Sequence, residues 1–293
     1  MAIWNLGSIN ADHVYALPHI PGPGETLAAR TLTTGLGGKG ANMSVACVRA
    51  GGTVRHIGAV GPEGAWAVER LHGYGVDTTH IATLDTPTGH AIIAVDDRGE
   101  NMILLFPGAN RALPPQHVEA ALAQAAPGDW LLTQNETNLQ TEAAALARSR
   151  GLRVAYAAAP FEAAAVEAIL PHLDFLILNE VEADQLVDTT GRKVATLGIP
   201  DVIVTLGAQG CLWFHEGREA SFPALPVTPV DTTGAGDAFT GYVLAGLDEG
   251  RPMPEAIALA TRAAALKVTR HGAADAIPTR AEADAFEGES HAG

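Results

Sequence analysis

Gly234-Ala235-Gly236 runs directly into Asp237, and Asp237 opens an apolar stretch over residues 238–247. Glycines at the head of a helix let successive N–H groups converge on an anion. Such a nest suits the charge that grows on a phosphoryl group during transfer. A carboxylate beside it could take the proton of an attacking hydroxyl. The helix dipole also favours an aspartate in the first turn, so plain capping accounts for Asp237 as well. Two glycines around an alanine, preceded by Asp231-Thr232-Thr233, exceed what a cap requires. The residues alone leave both readings open.

A second glycine cluster, GLGGKGAN, occupies residues 35–42. Gly35, Gly37 and Gly40 match the GxGxxG spacing of dinucleotide-binding loops. That loop should directly follow the first parallel strand, and an acidic residue should end the next strand. Here the first strand ends near Gly7, and no acid follows the next one before Glu63, so an oxidoreductase is disfavoured. A Walker loop fails because Ala41, not lysine, follows Gly40. The cluster suits a polyhydroxylated ligand instead. Its glycines allow close backbone approach, Lys39 and Asn42 offer donors, and a helix starts here and runs to Arg49. Just past the first strand, SINAD supplies Asn10 and Asp12. An aspartate can accept two hydroxyl hydrogen bonds, although turn formation explains such residues equally simply.

These residues need a scaffold. Short apolar runs at 2–7, 53–61, 129–134, 152–158, 174–179 and 201–207 read as strands, with helical stretches at 115–126, 137–150 and 162–170 between the later ones. Buried strands alternating with helices predict an α/β fold: three layers, a mostly parallel sheet with helices on both faces. Residues 12–35 and 88–106 break the rhythm and read as antiparallel strands. HAIIAVDDRGENMILLF is a hairpin pattern, two apolar arms around Asp97-Arg98-Gly99. Residues 1–11, 36–87 and 107–293 then form the large domain. Residues 12–35 and 88–106 form a small β-sheet lid that could exclude water, or serve as an edge extension or dimer contact.

The chain has 293 residues, 47% hydrophobic and 17% charged, which fits a globular protein. A formal net charge of -15 disfavours nucleic acid as a partner. It leaves room for a small anion held by backbone N–H groups. Cys47 and Cys211 are too few and too far apart for a disulfide framework or a metal motif. The N-terminus lacks the pattern of a signal peptide, and no apolar run is long enough to span a bilayer. The expectation is a cytoplasmic protein without a membrane partner.

The two clusters together resemble the ribokinase-like (PfkB) family of carbohydrate kinases. GSINADH, PGETL, GGKGAN, TGHAIIAVDDRGEN, PGAN, LNEVEA, VTLGAQG, DTTGAGDAF and VTRHGA occur in that family's order and span residues 7 to about 278. The resemblance implies transfer of the γ-phosphate of ATP to a primary hydroxyl of a sugar, with D-ribose the leading substrate. It implies that Asp237 is the base and that Gly234, Ala235 and Gly236 form the anion hole. Asn10, Asp12, Gly38, Lys39, Asn42 and Glu136 would hold the sugar. Asn179, Thr205, Gly207 and Gly210 would lie along the nucleotide, and Glu182 would serve Mg²⁺ and phosphate. A monovalent cation, K⁺, would use Asp231, the Thr233 carbonyl and the carbonyls of Lys267, Arg270 and Gly272. A homodimer through the lid is implied too. Three departures stand out: Ala157 in AAAP where the family often has asparagine, Ala276 (beside Asp275) where a serine often aids the cation site, and Met43 after GAN. A kinase for another furanose, a nucleoside or a sugar acid, or a sugar sensor without catalysis, is the alternative.

Overall fold

The computed structural model describes residues 1–289. Strand β1 (Ile3–Leu6) leads into β2 (Asn10–Ala16) and β3 (Thr31–Gly37). Helix α1 (Lys39–Arg49) follows, then β4 (Val54–Val60), α2 (Ala65–Gly73) and β5 (Asp77–Thr83). A hairpin of β6 (Gly89–Val95) and β7 (Asn101–Phe106) comes next. The chain then alternates through α3 (Pro115–Leu122), β8 (Trp130–Gln134), α4 (Gln140–Ser149), β9 (Arg153–Ala157), α5 (Ala163–Ile169), β10 (Phe175–Asn179), α6 (Glu180–Thr190) and β11 (Asp201–Thr205). A second hairpin, β12 (Cys211–His215) and β13 (Arg218–Phe222), precedes α7 (Ala235–Asp248), α8 (Met253–Val268) and α9 (Arg280–Ala285).

Nine strands form the main sheet in the order β13-β12-β11-β10-β9-β8-β1-β4-β5. The seven from β11 to β5 are parallel, and β12 and β13 add an antiparallel edge. The six strands read from the sequence all form. Alternate residues feed opposite cores: Ile3, Leu132, Phe175 and Ile177 face one cluster, and Trp4, Leu131, Leu176 and Leu178 the other. Parallel strands buried on both faces are continuous apolar runs, which is why these were legible. From β1 the chain first builds outward through β4 and β5, then returns to build the other way from β8. The direction reverses between β1 and β8. In open α/β sheets the crevice beyond the carboxyl ends at such a point is where ligands bind.

Helices α1 and α7 cross on one face of the sheet. A Cβ at Gly241 would collide with Ala46, so this glycine sets how closely the helices approach. That approach matters because Asn42 lies on α1 and Asp237 on α7.

The two irregular stretches meet in a four-stranded sheet of order β3-β2-β6-β7. Each hairpin is antiparallel, but the two join through a parallel pairing of β2 with β6, where purely antiparallel strands were expected. The pairing is parallel because the hairpins belong to separate excursions leaving the large domain in the same direction. Asp96 accepts the N–H groups of Arg98 and Glu100 and so closes the β6–β7 turn. Arg30 donates to both oxygens of Asp97, tying the two excursions together. Both partners are exposed, so solvent screens this pair and it adds little stability.

Candidate active site

Helix α7 begins at a residue only glycine occupies comfortably. Gly234 has φ 72°, and α7 has no side-chain cap. The first-turn N–H groups therefore have no intrahelical acceptor. Asp237 stands in that turn, 7% exposed, yet makes no capping hydrogen bond. Its carboxylate instead accepts the Asn42 Nδ2 at 2.8 Å, from α1. Burial pushes the Asp237 carboxyl up, and the Lys39 charge, the Asn42 hydrogen bond and the Lys267 charge partly pull it back. Asn42 Oδ1 is buried with no partner among the described residues, although it adjoins this carboxylate. A hydroxyl donor placed between α1 and α7 would satisfy it.

The start of α1 supplies the opposite charge. Lys39 is held above its ordinary value chiefly by Asp237, against the opposing effect of burial, with Glu136 and Glu182 adding to the rise. Gly38 precedes α1 with φ 92°. Glu136 follows β8 and accepts the Lys39 N–H at 3.1 Å as well as the Ser8 hydroxyl, so the ends of β1 and β8 are joined at the switch point. Asp12 and Asn10 alternate with Ala11 on β2 and therefore share one face. Burial, and then the charges of Glu136 and Asp237, raise the Asp12 carboxyl from 3.8 to about 6. The six residues Asn10, Asp12, Lys39, Asn42, Glu136 and Asp237 thus come from four separate segments into one polar cluster. Beside it lies a cavity of about 300 Å³ lined by Asn10, Asn110, Arg111, Asn135, Glu136 and Phe106 among others. That is the small end of the range for small-molecule sites.

Several positioning residues were not picked out from the sequence. Asn110 donates to Asn10 Oδ1 at 2.7 Å and accepts from the Ile9 N–H at 2.8 Å, fixing the bend from β1 into β2. Asn5 donates to the Gly40 carbonyl and the Ser44 hydroxyl, both at 2.8 Å. Ser44 in turn contacts His56 Nδ1, and His56 Nε2 contacts the Gly7 carbonyl at 3.0 Å. Burial lowers His56 to about 4, so it stays neutral and donates to that carbonyl. This network locks the glycine-rich start of α1 onto β1. The PGAN and GSIN stretches were the available signals for Asn110 and Ser8.

The expected nucleotide side lies at the carboxyl ends of β10 and β11, where Asn179 pairs with Thr205 across the sheet. Asn179 caps α6. Its side chain accepts the Glu182 N–H, and Glu182 accepts the Asn179 N–H, each at 2.8 Å. Burial raises Glu182, which also feels Lys39 and Asp237, so this end adjoins the cluster. Gly207 and Gly210 form the turn between β11 and β12, both with positive φ. Ala157 ends β9, buried, with only a methyl group to offer.

Asp231 is a hub beneath the α7 loop. Its carboxylate accepts the N–H groups of Thr233 and Gly272, each at 2.9 Å. Burial alone would push this carboxyl up, but those amides and Lys267 leave it below its ordinary value. The structure thus gathers Asp231, Thr233, Lys267 and Gly272. Arg270, whose carbonyl was the expected contributor, turns its guanidinium out to Glu282. Ala276 is buried, and the Asp275 side chain pairs outward with Arg70.

Residues 3–280 match the model of the pfkB family of carbohydrate kinases. A ribokinase of Haemophilus influenzae is 38% identical over 292 residues, covering 94% of this chain and 95% of that protein. Among solved structures, a ribokinase from Thermotoga maritima superposes with a TM-score of 0.88 at 34% identity, over 98% of this chain and 99% of that one. A ribokinase of Arabidopsis thaliana, solved with ribose and ATP, gives 0.85 at 28% identity, over 97% and 98%.

Proposed function

The chain belongs to the pfkB family of carbohydrate kinases, and from that premise we propose that it transfers the γ-phosphate of ATP to the primary hydroxyl of D-ribose, giving D-ribose 5-phosphate and ADP. The observation that carries the reading is Asp237. Its carboxylate is turned away from the helix it could have capped and toward Asn42, with Lys39 in its field.

In this reading Asp12 and Asn10 accept and orient ring hydroxyls from β2, and Glu136 and Lys39 close the other side. Gly38 leaves the α1 backbone open to the sugar. The reacting hydroxyl lies between Asn42 Oδ1 and the Asp237 carboxylate. As its oxygen bonds to the γ-phosphorus, its proton passes to Asp237 and the bond from phosphorus to the ADP oxygen breaks. A carboxyl raised by burial is the stronger base for that task. The N–H groups of Gly234, Ala235 and Gly236 meet the equatorial oxygens of the migrating group, Ala235 in exchange for its 3.2 Å bond to the Thr232 carbonyl. The nucleotide runs from there past Asn179 and Thr205 to the turn at Gly207 and Gly210.

Among the described residues no group of three or more His, Cys, Asp or Glu could hold a metal ion. That fits Mg²⁺ taken up with the nucleotide, because this ion is commonly held by one or two carboxylates plus substrate phosphates. Glu182, which spends one lone pair on its capping bond, retains acceptor capacity for it. When bound, the ion would neutralise charge on the β- and γ-phosphates. A monovalent cation beside Asp231 would have to share its cradle with the Lys267 side chain.

The small sheet acts as the lid, excluding water as a rival acceptor. Its edge strand β7 is exposed at every residue, with Ile103 at 54%, Leu104 at 61% and Leu105 at 53%. An exposed apolar edge strand calls for a partner, and a second copy pairing through the lid supplies one. No helix among the described residues is long and apolar enough to cross a membrane. Cys47 and Cys211 are free and buried, which suits the reducing cytoplasm.

The test is ADP release measured across pentoses, hexoses, nucleosides and sugar acids with Mg²⁺ present. The reading expects the highest kcat/KM on D-ribose. A better furanose or nucleoside would transfer the same chemistry to that substrate, and no turnover on any of them would leave a sugar-binding protein without catalysis.

A further inference from the structure

Lys267 sits at the end of α8 with no exposed surface. Lysine is almost never buried so completely unless its charge is paired. No carboxylate forms a salt bridge with it among the described residues. Its Nζ donates instead to a main-chain carbonyl, that of Asp231, at 2.9 Å. This carbonyl belongs to the loop that sets the N–H groups of α7 toward the phosphoryl site. The same residue is bound at every other polar position: its N–H donates to the Val268 carbonyl, and its carboxylate takes Thr233 and Gly272.

A monovalent cation expected here would draw on Asp231, the Thr233 carbonyl and the carbonyls of Lys267, Arg270 and Gly272. The residues present do not fit that expectation. The Asp231 carbonyl already holds a positive group, the Lys267 carbonyl accepts the Arg270 N–H at 3.0 Å, and Ala276 has no hydroxyl to contribute. An ammonium group carries the same single charge as a potassium ion and is close to it in size.

We propose that the Lys267 ammonium is this chain's own tethered cation, ordering the loop over residues 231–234 from beneath, so that phosphoryl transfer needs no free monovalent cation. The proposal rests on the kinase reading above. Lys267 reaches no reacting atom and is a positioning residue. Two electrostatic facts support it. Burial lowers the Lys267 ammonium from its ordinary value, and the nearby carboxylates of Asp231 and Asp237 oppose that fall. The lysine in turn helps keep Asp237 ionised and able to accept a proton.

The test uses the whole protein, with choline chloride exchanged for potassium chloride at constant ionic strength. The wild type should change its turnover by less than about twofold, and the melting temperature of the unliganded protein should be the same in both salts, because only a salt that binds the native state raises it. Lys267→Ala should lose about 10²-fold in kcat in choline, the scale of losing one preorganised electrostatic contact. It should recover activity with potassium or methylammonium, and its melting temperature should rise with either of these relative to choline.

A wild type stimulated about tenfold or more by potassium, or stabilised by it specifically, would overturn the proposal. So would a folded Lys267→Ala protein with wild-type turnover in choline, or one that neither salt rescues. Should the variant not fold, the two wild-type measurements still decide. Should no sugar be phosphorylated at all, the melting curves still decide, so failure of the kinase reading and failure of this one are separable.

Discussion

Replacing Asp12 by asparagine should stabilise the unliganded protein at neutral pH and weaken its grip on sugar. The Asp12 carboxyl is raised from 3.8 to about 6, first by burial and then by the negative charges of Glu136 and Asp237. A carboxyl with a folded pKa above its unfolded value resists ionisation in the native state. The native state bears no penalty below about pH 4, acquires it as pH rises toward 6, and bears it in full above that. Some two pH units at about 1.4 kcal/mol each give about 3 kcal/mol. Partial exposure and solvent screening reduce this to about 1–2 kcal/mol. Asparagine has nearly the same shape and no charge, so it escapes the penalty. Urea denaturation of both proteins at about pH 7.5 and about pH 4.5 measures the effect. The variant should be the more stable at the higher pH, and the difference should shrink to roughly a third at the lower one. A variant no more stable than wild type at neutral pH, or a gain independent of pH, would refute the electrostatic account of this cluster. KM for the sugar should rise about tenfold or more, since a charged hydrogen bond is lost.

Other consequences concern the surroundings of Asp237 and the small sheet. Asn42→Ala removes the donor that lowers the Asp237 pKa, so the acidic limb of the kcat profile should move to higher pH at saturating sugar; an unmoved limb would show that Asp237 does not govern it. Deleting Asp97 to Gly99 should leave the large domain folded but let ATP hydrolyse without sugar. Equal yields of ADP and sugar phosphate would remove the water-exclusion role. Leu104→Glu on the exposed strand β7 should convert a dimer to a monomer in sedimentation experiments, and an unchanged sedimentation coefficient would place the interface elsewhere.

Parallel strands buried on both faces announce themselves as apolar runs, so the central six strands, the β6–β7 hairpin and the α1 and α7 starts were legible from residue order. Strand β5 was not. Its sequence, DTTHIAT, is only half-buried and carries little apolar signal. The β12–β13 edge was hidden for a similar reason, since its exposed and intermediate residues blur the alternation. At the site, Asn10 and Asp12 have the composition of a turn but lie in a strand, because β2 pairs with β3 and β6 and Asn110 holds its start at Ile9 and Asn10. The two explanations of Asp237 could not be separated in one dimension. Their separation depends on Asn42, 195 residues away in sequence. Lys267 was legible only as a carbonyl. That its side chain turns inward to Asp231 depends on how α8 packs against the loop, which no local pattern reports.

The central claim is that Asp237 is the base, and the most direct measurement is the turnover of Asp237→Asn alongside its sugar affinity. Asparagine keeps the shape and can still meet Asn42, so folding and sugar binding should persist while kcat falls by about 10²-fold or more, as loss of a general base does. Turnover within a few-fold of wild type, with sugar bound as before, would mean that the proton leaves by another route and that Asp237 only shapes the site.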